Sequence, residues 1–246
     1  MSKPFFSLFH DSIPTPIKVI ICGGLGLKEV KRIEDKIEKV YERRDVQLEC
    51  IKNCGLELKF VPKKFKIDHG LVMAAVKQNG CALEFASNNF KNDYDIAMAA
   101  VKQNGKSLRW VSNNLKKNYN IVMAAVSQTP FALRWASYYM RDDDKVIMTA
   151  VEQNGRMLNY STTRLKNDYN IVLAAVKQNG SAIVFAHYSL KNNYNIVLAA
   201  VKHHGEALNY ASREIKNNVL IVMAAVKQNG RALEYASTRL KKNFDI

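Results

Sequence analysis

Cys50 and Cys54 lie four residues apart, a spacing that could bring two thiolates to one side of a helix as half of a zinc site. No second pair follows at zinc spacing, so they read as free thiols and no metal is expected. His203 and His204 are adjacent, which on a helix turns their rings about 100° apart, and they read as solvated loop residues. Asp142, Asp143 and Asp144 fit the N-terminus of a helix and its cap, where carboxylates oppose the positive end of the dipole. Gly23, Gly24 and Gly26 lack the spacing of a phosphate loop and read as a turn. No nucleophile, base and acid stand in a catalytic order. The chain is therefore expected to be no enzyme, with no cofactor and no small-molecule substrate. The remaining chemistry is that of recognition, carried by exposed aromatic and basic side chains whose placement depends on the elements that hold them.

Those elements repeat. AAVKQNG recurs, for example at 74–80, 174–180 and 224–230, and Gly55, Gly80, Gly105, Gly155, Gly180, Gly205 and Gly230 stand on a ladder of step 25. Pro130 takes the one missing rung. Eight copies of 25 residues run from Arg44 to Asn243 without insertion. In the copy at 169–193, Ile171, Val172, Leu173, Ala175 and Val176 make a wide apolar arc, which predicts a first helix buried on both flanks. Gly180 is expected to end it in the left-handed conformation. Ile183, Ala186 and Leu190 predict a second, shorter helix, with a break near His187, where most copies have a serine able to cap a final turn. An Asp or Asn before each copy can cap the next first helix. Paired alanines such as Ala99 and Ala100 let helix axes approach closely. The fold class is accordingly all-α: an α-solenoid of eight helical hairpins stacked on one another.

The repeat sorts positions into columns. One column is basic throughout: Lys66, Lys91, Lys116, Arg141, Lys166, Lys191, Lys216 and Lys241. It could track a nucleic-acid backbone, or simply oppose helix C-terminal dipoles and keep the array soluble; the second reading is preferred. The columns that begin at Leu56, Lys59 and Lys63 form an exposed stripe at i, i+3 and i+7. In copies three to five this stripe carries Lys106, Arg109, Phe131, Arg134, Tyr138 and Arg156, with Tyr139 beside it. Aromatics among arginines are the composition of protein-interface hot spots and equally of single-stranded nucleic-acid platforms. Trp110 and Trp135 fall in an aromatic column expected to belong to the core.

The pattern AVKQNG, then AL, an aromatic, AS and LKND resembles the helical repeat family called domain of unknown function 4116, over residues 44–246. The resemblance implies a helical repeat fold and no established activity. Copy one departs from the pattern at Cys50 and Pro62, and copy four at Gln128, Thr129 and Pro130.

Residues 1–43 do not repeat and are expected to cap the solenoid, with Val30, Ile33, Ile37 and Val40 on one helical face. Residues 12–43 also faintly resemble an F-box, which would imply an adaptor. Residues 244–246 open like a ninth copy. Of a net charge of +15, +13 lies on the residues after 43, which favours acidic partners. Apolar runs are too short to cross a bilayer, and four cysteines without a secretory signal suggest the cytoplasm, or a host cytosol for a parasite or virus. The functional expectation is a scaffold that binds a protein through the stripe, with nucleic-acid binding along the basic column and an F-box-like adaptor as alternatives.

Overall fold

The computed structural model describes residues 36 and 39–243, among which there are helices, turns and short extended links but no strand. Most of the F-box-like segment and of the expected cap lies outside the described residues. The chain divides into two compact units between Ser112 and Asn113. In each unit the copies stack as an α-solenoid, first helix on first helix and second element on second element.

Every copy opens with a ten-residue α-helix, from Arg44–Asn53 in copy one to Val219–Gln228 in copy eight. From copy two onward, the Asp or Asn before it is the N-cap, as in Asp168, whose carboxylate accepts from the Ile171 N–H at 2.9 Å. Such a cap stabilises a helix by about 1 kcal/mol. In copy six Ile171, Val172, Ala175 and Val176 are buried, whereas Leu173 is half-buried, so the buried arc is narrower than the apolar residues suggest.

The second element is not an α-helix. Gly180–Phe185 is a 3₁₀ helix, and the same tight turn recurs from Gly55–Lys59 to Gly230–Tyr235. The chain then breaks and restarts as a third short turn such as Leu190–Asn192. Ser212 and Ser237 accept from the N–H three residues on, at 3.2 and 3.3 Å, as restart caps do.

The expectation of a left-handed glycine is also overturned. Asn179 ends the first helix in an extended conformation, and Gly180 opens the 3₁₀ turn without a positive φ. Glycine is needed there because the next copy comes too close. A Cβ on Gly180 would stand 2.3 Å from the Ala200 carbonyl oxygen, and one on Gly155 only 2.2 Å from that of Ala175.

Candidate functional site

The repeated letters are spent on joints between copies. Four joint glycines donate their N–H to the glutamine of the following copy: Gly55 to Gln78 Oε1 at 2.7 Å, Gly80 to Gln103 at 2.6 Å, Gly155 to Gln178 at 2.6 Å and Gly205 to Gln228 at 2.5 Å. The same glutamine amide donates backwards to the end of the preceding first helix, as from Gln178 Nε2 to the Gln153 carbonyl at 3.3 Å. The asparagine between them caps the 3₁₀ turn, as Asn179 does for the Ser181 N–H at 3.0 Å. Gln-Asn-Gly is thus a clip, a cap and a close approach.

The basic column is largely part of the same scaffold. Its first seven members are half-buried and only Lys241 is fully exposed. Lys66 Nζ donates to the Lys59 carbonyl at 2.7 Å and Lys191 Nζ to the Val184 carbonyl at 2.9 Å, each near the C-terminal end of its own 3₁₀ turn. Burial lowers the pKa of Lys66, Lys116, Lys166, Lys191 and Lys216, as expected for ammonium groups partly removed from water. The backbone of the column is engaged too: the Ser212 N–H donates to the Lys191 carbonyl at 3.0 Å and the Ser237 N–H to that of Lys216 at 2.9 Å. These lysines are positioned first by their own backbone neighbours, which is the service a helix C-terminus asks of a cation.

The stripe is different. Lys106 and Arg109 are exposed in the first unit, and Phe131, Arg134, Tyr138, Tyr139 and Arg156 in the second. Phe131 is 45% exposed, Tyr138 62% and Tyr139 68%, far more than apolar packing would leave. Phe131 meets the Tyr160 ring of copy five edge-on at 6.3 Å, and Tyr138 meets Tyr139 at the same separation. Trp110 and Trp135 are not core residues; both are half-buried, because the aromatic column lies on the outer side of the 3₁₀ turn. The Arg134 guanidinium lies 5.4 Å from the Trp135 ring centre, and Arg109 stands 5.9 Å from Trp110 in the other unit.

Pro130 alters the joint that carries the stripe. It has no N–H to give Gln153 and does have a Cβ where glycine is otherwise required. The first helices of copies four and five accordingly pack less closely than those of copies five and six. Gln153 turns its amide to the Thr149 carbonyl at 3.2 Å and the Val126 carbonyl at 3.5 Å, and its Oε1 accepts nothing among the described residues. Below the stripe, Asp143 caps the helix Asp144–Gln153 by accepting from the Val146 N–H at 3.0 Å. The Thr162 hydroxyl, followed by the Arg164 guanidinium, holds Asp142 below the usual carboxylate range. Arg164 also bonds Asp144 at 2.9 Å. The acidic run is therefore a cap and an inter-copy clamp.

Sequence reasoning passed over Tyr188. It is 78% exposed, sits two copies after Tyr138 in the same column, and packs against His187 at 4.3 Å. With Tyr210 and Arg213 it lines an open groove of about 560 Å³. A second groove of about 500 Å³ lies between Met73 and Met98, beside Lys77 and Lys102, in the first unit. His203 and His204 are exposed, and Cys50, Cys54 and Cys81 are free thiols. Among the described residues no three His, Cys, Asp or Glu side chains cluster as metal ligands, and no helix is long and apolar enough to cross a membrane.

No curated protein and no solved structure matches the chain. A family model does, in seven overlapping stretches of about two copies each: 43–91, 68–116, 93–141, 118–166, 143–191, 168–216 and 193–241. These matches advance by the same 25 residues as the joint glycines and take in the Gln-Asn-Gly clip of five copies, so the chain belongs to the helical repeat family described as domain of unknown function (DUF4116).

Proposed function

We propose that this chain is a non-enzymatic scaffold of the cytosol that binds a partner protein through the exposed aromatic and arginine stripe of copies four and five. The supporting observation is the exposure of Phe131, Tyr138 and Tyr139 in columns where other copies carry polar or charged residues, while the recurring Gln, Asn and Gly side chains are consumed in joints. Large, stiff aromatics beside stacked guanidinium groups supply contact area at little entropic cost, which is how interface hot spots work. A second reading, sequence-tolerant binding of nucleic acid, draws support from the half-exposed aromatic column. It is weakened by the basic column, whose lysines are half-buried and in two copies bonded to their own backbone.

Affinity capture from nuclease-treated lysate, with the intact chain and with a Phe131→Ala, Arg134→Ala, Tyr138→Ala variant, tests the proposal. The same protein is expected to survive nuclease treatment and to be lost with the triple variant, whose thermal unfolding should match that of the parent. Capture that disappears with nuclease, or persists in the triple variant, would refute it.

A further inference from the structure

The loosened joint between copies four and five shows which part of the stripe could hold a ligand and of what chemistry. Three observations meet there. Gln153 Oε1 is an amide acceptor whose counterparts take a backbone N–H from the preceding copy, and Pro130 leaves it none. Phe131 and Tyr160 form an edge-on pair across the joint, with Phe131 almost half exposed. Arg134 follows Phe131 by three residues on a 3₁₀ turn, so the two share a face, and Arg156 holds in copy five the place of Phe131 in copy four. No carboxylate among the described residues pairs with Arg134 or Arg156, although nearby Arg164 is engaged by Asp142 and Asp144.

We infer that this joint takes an extended acidic segment of the partner protein: a backbone N–H of the segment donates to Gln153 Oε1, its carboxylates meet Arg134 and Arg156, and an apolar side chain rests against Phe131 and Tyr160. The inference rests on the proposed protein-binding function and adds the chemical class of the bound segment. Pro130 then acts as a positioning residue. It touches no ligand, but it keeps the joint open and the glutamine oxygen unclaimed. An extended chain suits the acceptor because strand-like segments carry N–H groups outward that seek partners. A protein segment is favoured over a nucleic acid because its backbone offers an N–H at every residue but proline, whereas a phosphodiester backbone has none and only the bases could donate to the glutamine oxygen.

The test uses the full chain and fluorescence anisotropy with a labelled peptide Glu-Glu-Glu-Phe-Glu-Leu-Glu-Glu-Glu, its lysine-for-glutamate counterpart, and a single-stranded oligonucleotide, all at physiological salt. The acidic peptide is expected to bind and the lysine peptide not to. Arg134→Ala with Arg156→Ala should weaken binding about tenfold or more, the scale of removing a charge-assisted hydrogen bond. Gln153→Ala should weaken it severalfold with no change in melting temperature. Pro130→Gly, which returns the N–H that Gln153 lacks and lets the joint close, should weaken peptide binding while raising the melting temperature. Equal binding of both peptides, a Pro130→Gly variant that binds as the parent does, or tighter binding of the oligonucleotide would each overturn the inference. If the peptide fails while the Phe131, Arg134, Tyr138 variant still loses the natural partner, the acidic-segment inference falls and the scaffold function stands.

Discussion

The N–H of Gly155 donates to Gln178 Oε1 across 2.6 Å, joining copy five to copy six, and the Cβ that Gly155 lacks would lie 2.2 Å from the Ala175 carbonyl oxygen. One close approach therefore explains two fixed letters of the repeat. The glutamine satisfies a donor that the approach would otherwise strand, and the approach demands the glycine.

Gly155→Ala should destabilise the chain by about 1 to 3 kcal/mol, the usual cost of forcing an atom into a packed joint. Gly230→Ala should be neutral or stabilising by about 0.4 to 1 kcal/mol, since nothing lies within 4 Å of its Cβ position. Paired chemical denaturation curves decide it. Equal losses at both positions would mean that the glycine serves backbone conformation instead.

Gln178→Ala should cost about 1 to 3 kcal/mol, because it leaves the buried Gly155 N–H without an acceptor. Gln153→Ala should cost much less, because Pro130 offers no N–H to be stranded. Amide hydrogen exchange at Gly155 should accelerate in the first variant only. Similar exchange in both would dissociate the glutamine from the joint.

Replacing Lys91, Lys116, Arg141 and Lys166 together by Gln should leave partner affinity nearly unchanged and mainly slow association, as rim charges do. A nucleic-acid backbone along this column would instead flatten the slope of log affinity against log salt by about 0.7 to 0.9 for each phosphate no longer neutralised. Affinity at two salt concentrations separates these outcomes.

The clamp on Asp142 should show in acid. Its folded pKa is depressed, first by the Thr162 hydroxyl and then by Arg164, so its contribution is present above the unfolded value near 3.9 and is lost as pH falls through the folded value. Asp142→Asn should lower the melting temperature at neutral pH, and the gap to the parent should close as the pH falls through the depressed folded value. A gap that persists in strong acid would show that shape, not charge, is what the carboxylate supplies.

Much of the fold is legible because the repeat states each rule eight times. The ten-residue first helix, its Asp or Asn cap, and the break and restart after Ala186 all follow from spacing and residue type. The stripe is legible for a similar reason: Phe131, Arg134 and Tyr138 stand in columns that hold charged or polar residues elsewhere, which signals exposure. Trp110 and Trp135 mislead because their column is aromatic in every copy, and invariance of type reads as core when it marks a half-buried rim. Tyr188 repeats the Tyr138 signal and could have been found by following that column two copies further.

The sequence by itself determined the period, the first helices with their caps, and the division between repeated and variable positions, since these rest on local backbone preferences and on periodic burial. Only the tertiary structure decided why the motif ends in Gln-Asn-Gly. A close approach between Gly155 and Ala175 is a distance between copies, and no local preference encodes it. The folded structure also decided the tight 3₁₀ second element and the capture of Lys66 and Lys191 by carbonyls of their own copies, which residue type alone does not specify. So does the unclaimed oxygen of Gln153, which exists because a proline in one copy removes the donor that a glutamine in the next was placed to accept.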